Sequence, residues 1–113
     1  MSQITTHILD TSLGTPAQNV PVSLQSSSNG QWQIIGTGIT NSDGRVEELG
    51  LSDTPLYAGI YKLRFDTALY YKKQKTASFY PFVDIVFEIS GDGQHYHVPL
   101  LLNPYGYSTY RGS

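Results

Sequence analysis

Apolar and polar residues alternate with a period of two along most of this chain, in short stretches bounded by Gly, Asn, Asp, Ser and Pro. Successive side chains of a strand leave opposite faces, so each such stretch reads as a strand with one face for a core. Val20, Val22 and Leu24 alternate with Pro21, Ser23 and Gln25. Tyr61, Leu63 and Phe65 alternate with Lys62 and Arg64, and Val83, Ile85, Phe87 and Ile89 with Asp84, Val86 and Glu88. Residues 26–30, Ser-Ser-Ser-Asn-Gly, read as a hairpin turn into a strand over 31–36. Asn41-Ser42-Asp43-Gly44 reads as a second turn, rich in residues that tolerate positive φ. Gly91-Asp92-Gly93 leads into a strand over 94–103, and a Pro/Gly turn there precedes a tyrosine-rich strand. One segment resists the strand pattern: Asp66 or Thr67 can cap a short helix over 68–74, with lysines at its C-terminal end. Seven or eight short strands and one short helix predict an all-β antiparallel sandwich, a single domain over 1–113.

Composition removes several classes of function. The chain has no cysteine, which excludes disulfides, thiolate metal sites and cysteine nucleophiles. A net charge of −2 with only 7 Lys and Arg argues against nucleic acid, and Lys72, Lys73 and Lys75 read as a solvated helix end. No apolar run reaches the roughly 18 residues that span a bilayer, so no membrane partner is expected. Residues 1–7 lack the basic and apolar regions of a secretory leader. A soluble cytoplasmic domain is the expectation.

The polar residues near the C-terminal strands fit a plain sandwich poorly. With Val98, Leu100 and Leu102 facing the core, His95, His97, Pro99, Leu101 and Asn103 share the outer face. Histidine beside leucine on an outer face suits a subunit interface better than a solvated surface. Taken singly, each residue has an ordinary reading. A strand histidine such as His7 or His97 is commonly a hydrogen-bonded surface residue, Arg45 after Asp43-Gly44 a surface charge, and the terminal tyrosines edge packing. His95 and His97 with a third histidine would start a metal set, but no nearby residue completes it, so no metal is expected. No Gly-x-Ser-x-Gly elbow supports a Ser-His-Asp triad.

Taken jointly, these residues resemble the transthyretin-like 5-hydroxyisourate hydrolases over nearly the whole chain. The resemblance rests on Thr6-His7-Ile8-Leu9-Asp10 with Gly14-Thr15-Pro16-Ala17, on Asp43-Gly44-Arg45, and on Phe79-Tyr80-Pro81. Above all it rests on His97-Val98-Pro99-Leu100-Leu101-Leu102 and the closing Tyr107-Ser108-Thr109-Tyr110-Arg111-Gly112-Ser113. Asn103 departs from the serine that relatives often carry after the three leucines. The resemblance implies two four-stranded sheets with one short helix, a homotetramer, and active sites in a channel at the dimer–dimer interface. It implies opening of 5-hydroxyisourate, the product of urate oxidation, to 2-oxo-4-hydroxy-4-carboxy-5-ureidoimidazoline, without a cofactor. The family's catalytic residues fall on His7, Arg45, His97 and Ser113, with Tyr110 as a further substrate contact; His95 lies outside the matched motif.

These residue types suit the reaction. Water must lose a proton, an oxyanion must be held, and the departing nitrogen must gain a proton. A histidine titrating near neutrality, here His97, serves as the base. Arg45 holds the substrate's oxygens and the oxyanion. His7 orients substrate or shuttles a proton, and Ser113 fixes the water or a tautomer rather than attacking. One rival is a small-ligand carrier, as vertebrate transthyretin carries thyroid hormone on the same fold; that lineage lacks the His, Arg and Tyr-Arg-Gly-Ser set. Another is a carbohydrate-binding sandwich built on tyrosines and Trp32. The closing Arg-Gly-Ser is no peroxisomal signal, which suggests a bacterial cytoplasm.

Overall fold

Alternation becomes strand wherever a turn returns the chain to a neighbour. The computed structural model describes residues 3–49 and 56–112. Their strands are β1 (Ile4–Asp10), β2 (Thr15–Pro16), β3 (Pro21–Ser28), β4 (Gln31–Ile39), β5 (Arg45–Val46), β6 (Gly59–Phe65), β7 (Val83–Ile89), β8 (Tyr96–Asn103) and β9 (Gly106–Thr109), and one helix, α1 (Thr67–Lys73), follows β6. Among the described residues no helix is long and apolar enough to cross a membrane.

One sheet is antiparallel throughout, in the order β4-β3-β6-β7; the other runs β2-β1-β8-β9, with β5 also paired to β1. The two-sheet sandwich with one short helix is therefore as expected, with two refinements. The outermost position beside β1 is shared by two dipeptide strands, β2 at Leu9–Asp10 and β5 at Thr6–His7. And β1 runs parallel to β8, from Ile4 opposite Tyr96 to Asp10 opposite Leu102. The whole second sheet separates these strands in sequence, so no hairpin dictates their relative direction.

The hairpin at 26–30 is tighter than its composition suggests. Ser26, Ser27 and Ser28 remain in β3 opposite Gln33, Trp32 and Gln31. Only Asn29 and Gly30 turn, both at positive φ (53° and 76°), as a two-residue hairpin matched to strand twist requires. Likewise β4 runs on to Ile39, past the expected end at Gly36.

The core lies between the sheets. Ile4, Ile8, Leu100 and Leu102 meet Val22, Leu24, Leu63, Phe65 and Val83, all essentially without exposure. Each such side chain contributes about 1.5–3 kcal/mol through burial. α1 begins after Asp66, whose side chain makes no capping bond, and carries Lys72 and Lys73 in its last turn as expected. Tyr70 and Tyr71 bury its inner face. Asp10, at the end of β1, ties that face down by accepting a 2.6 Å bond from the Tyr70 hydroxyl.

Candidate active site

In β1, Ile4, Thr6, Ile8 and Asp10 are buried while Thr5, His7 and Leu9 face outward. In β8, Val98, Leu100 and Leu102 face the core while His97 and Leu101 lie on the outer face. Strand register then arranges the outer face in rows. Thr5 stands opposite His97, which in turn is bridged to Gly112. Next come Arg45, His7 and Pro99, side by side across β5, β1 and β8. The third row is Pro16, Leu9, Leu101 and Ser108. Three residues singled out in the sequence, His7, Arg45 and His97, thus share one surface, although they come from β1, β5 and β8.

Local structure fixes each of them. The turn before Arg45 closes through Gly44 N–H to the Asn41 carbonyl (2.9 Å), and Asn41 Oδ1 accepts from the Asp43 and Arg45 amides at 2.9 and 3.1 Å. Gly44 (φ +73°) offers its carbonyl to the Ile8 amide at 2.8 Å. A Cβ there would lie 2.5 Å from the Ile8 carbonyl oxygen, so glycine is what lets this turn lie against β1. On the other side, the Gly112 amide donates to the His97 carbonyl at 2.8 Å, drawing the last described residues over β8.

The hydrogen bonds to His97 include a residue that the sequence reading passed over. Thr5 Oγ1 lies 2.9 Å from His97 Nδ1 and 3.0 Å from His95 Nε2. His95, set aside as outside the motif, is thereby joined to His97 through one hydroxyl. A threonine in a strand is too ordinary a residue to signal this role.

Electrostatics lower the pKa of both half-buried imidazoles and so favour their neutral forms. Burial lowers the His97 pKa below 6.5, and the positive charge of Arg45 and the neighbouring His7 and His95 push the same way; a backbone hydrogen bond with Thr5 opposes them. His7 is lowered by burial and then by Arg45, against a backbone hydrogen bond and the charge of Asp43. A neutral imidazole beside a fixed cation can take a proton from water while the cation holds an oxyanion.

Tyr110 is 59% exposed and lines a cleft of 250 Å³ with Phe87, Tyr96 and Val98. Ser113 lies outside the described residues. Arg111 is held by Gln94 Oε1 at 2.6 Å and by the Tyr96 ring, 4.8 Å away. Among the described residues no group of three or more His, Asp or Glu side chains could hold a metal ion. Lys62 sits 4.4 Å over the Trp32 ring, so one face of the chain's single tryptophan is already taken.

Residues 4–112 match the pattern of the family described as HIUase/Transthyretin. The chain belongs to that family. The mouse 5-hydroxyisourate hydrolase is 46% identical over 114 residues, covering 99% of this chain and 96% of the mouse protein. The Klebsiella pneumoniae 5-hydroxyisourate hydrolase structure is 40% identical with a TM-score of 0.82, covering 100% of this chain and 94% of its own. A sea bream transthyretin structure in complex with thyroxine superposes at a TM-score of 0.90 with 32% identity, covering 97% of this chain and 94% of its own. The HIUase/Transthyretin fold therefore houses a hydrolase and a thyroxine binder alike, and function has to be argued from the site.

Proposed function

We propose that this chain hydrolyses 5-hydroxyisourate to 2-oxo-4-hydroxy-4-carboxy-5-ureidoimidazoline, a step in urate breakdown, and does so without a cofactor. The observation that carries the reading is the outer-face set of His7, Arg45 and His97, two imidazoles whose pKa values burial and the Arg45 guanidinium lower. His97 takes a proton from water, whose oxygen adds to the substrate carbonyl. Arg45 holds the oxyanion that forms. As the ring C–N bond breaks, the departing nitrogen takes up the proton that His97 took from water, and His7 orients the substrate or shuttles that proton. Tyr110 contributes a substrate contact and Ser113 orients the water or a histidine. The 42% identical 5-hydroxyisourate hydrolase of Salmonella typhi adds a bacterial relative to the mouse and Klebsiella proteins and supports the same assignment.

The active assembly in this reading is a homotetramer with its sites in a channel where two dimers meet, in the cytoplasm. Leu9 and Leu101, adjoining the polar rows on the outer face, support a face covered by another subunit.

The likeness to a thyroxine-bound transthyretin favours the second reading, a small-ligand carrier. One experiment separates the two: following the ultraviolet decay of 5-hydroxyisourate, generated in place from urate by urate oxidase. The hydrolase reading expects decay well above the spontaneous rate, reduced about 10²–10³-fold in Arg45→Ala and at least as far in His97→Ala. Decay at the spontaneous rate from folded wild-type protein would leave the carrier.

A further inference from the structure

We propose that Thr5 is a positioning residue that fixes the tautomer of His97, and that His95 sets the direction in which the Thr5 hydroxyl points. The inference rests on His97 acting as the base, and adds a control over whether it can.

A threonine hydroxyl has one hydrogen and two lone pairs, whereas a neutral imidazole has one donor and one acceptor nitrogen. Thr5 Oγ1 is within hydrogen-bond distance of His97 Nδ1 (2.9 Å) and His95 Nε2 (3.0 Å), so the hydroxyl either gives its hydrogen to one ring and accepts from the other or accepts from both. Giving the hydrogen to one of the two rings yields two closed arrangements. In the first, Thr5 donates to His95 Nε2 and accepts from His97 Nδ1–H, which leaves the His97 Nε2 lone pair open as a base. In the second, His95 Nε2–H donates to Thr5 and Thr5 donates to His97 Nδ1, so the His97 proton sits on Nε2 and the base is gone. The second arrangement changes no charge on His97; it changes only where the proton sits.

With its hydrogen on His95 Nε2, Thr5 keeps its oxygen for His97 Nδ1–H, so His95 as an acceptor favours the first arrangement; where both rings donate to the oxygen, His97 Nε2 is again the open base. His95 is exposed to solvent. The other charged or titratable groups around the pair are His7 on β1, Arg45 on β5, Asp43 in the turn before it, and Asp92 and Arg111, both hydrogen-bonded to Gln94 beside His95.

The test combines long-range ¹H–¹⁵N correlation spectra of the histidine rings with kcat and KM, in wild type, Thr5→Val, Thr5→Ser and His95→Ala. Valine is isosteric with threonine and a good strand former, and thermal melting verifies that each variant is folded. Expected are a Nδ1–H tautomer at His97 in wild type, its loss in Thr5→Val, and its return in Thr5→Ser. With that loss kcat falls about 10- to 100-fold, the usual size of removing a histidine's orienting partner, while KM stays nearly constant. In His95→Ala the Thr5 hydrogen loses its acceptor on that side, so the Nδ1–H share at His97 and kcat both fall. Thr5→Val with unchanged kcat and an unchanged His97 tautomer would overturn the role of Thr5. An unchanged His97 tautomer and kcat in His95→Ala would overturn that of His95. Should wild type show no turnover, the hydrolase reading fails by itself, while the tautomer spectra still decide whether Thr5 sets His97.

Discussion

The His97 ring is enclosed from two sides by residues with little side chain of their own. Thr5 supplies a hydroxyl; Gly112 supplies room. A Cβ at Gly112 would lie 2.6 Å from His97 Cδ2 and 3.2 Å from the His97 carbonyl oxygen, so either the ring or the crossing segment would have to move. Gly112→Ala is accordingly expected to lower kcat/KM about 10- to 100-fold, the size of effect that follows a shift of around 1 Å in a catalytic group. The melting temperature, measured alongside, should change little because the substitution lies on the outer face. At this scale the sequence was readable where period-2 alternation applies. Alternation put His97 on the outer face, and the family resemblance added His7 and Arg45. It said nothing of Thr5, whose partner lies 92 residues away, and His95 looked incidental without that hydroxyl.

Between elements, the tie that holds the site's main strand in register is Asp10. Burial pushes its carboxyl up, but bonds from Tyr70, Ser12 and the Ser12 and Leu13 amides outweigh this and hold it below the usual 3.8. The same contact joins β1 to α1, the hydroxyl of Tyr70 standing 2.6 Å from Asp10 Oδ2. Asp10→Ala leaves the buried hydroxyl and the turn amides without their acceptor and is expected to destabilise the fold by about 2–3 kcal/mol. Urea unfolding followed by circular dichroism measures it, and Asp10→Asn should recover part of the loss. Most elements were legible because turn chemistry is local: Asn29-Gly30 and Asn41–Gly44 both close where their residues allow positive φ or an Asn cap. Two features were not. Ser26, Ser27 and Ser28 have turn-like composition yet stay paired, since β4 offers partners for all three. The parallel β1–β8 pair is invisible to periodicity, which reports faces and not direction.

Across the whole molecule, the site's electrostatics couple to stability. His7 and His97 are both held below 6.5, by burial first and Arg45 next, so just below that value the unfolded chain binds more protons than the folded one. Stability from these groups is present above about pH 6.5 and is lost as the pH falls through their lowered folded values. The urea midpoint should therefore drop between about pH 7.5 and 5, and drop less in the His7→Gln/His97→Gln double variant, whose side chains do not titrate in that range. The β1–β8 pairing has a consequence of another kind. A nascent chain acquires all of β3, β4, β6 and β7 before β8 is synthesised, so the ribosome completes one whole sheet before the strand that carries His97 exists. On the proposed assignment of His97, activity arrives only with the last strands, and truncated products that keep the finished sheet lack the base.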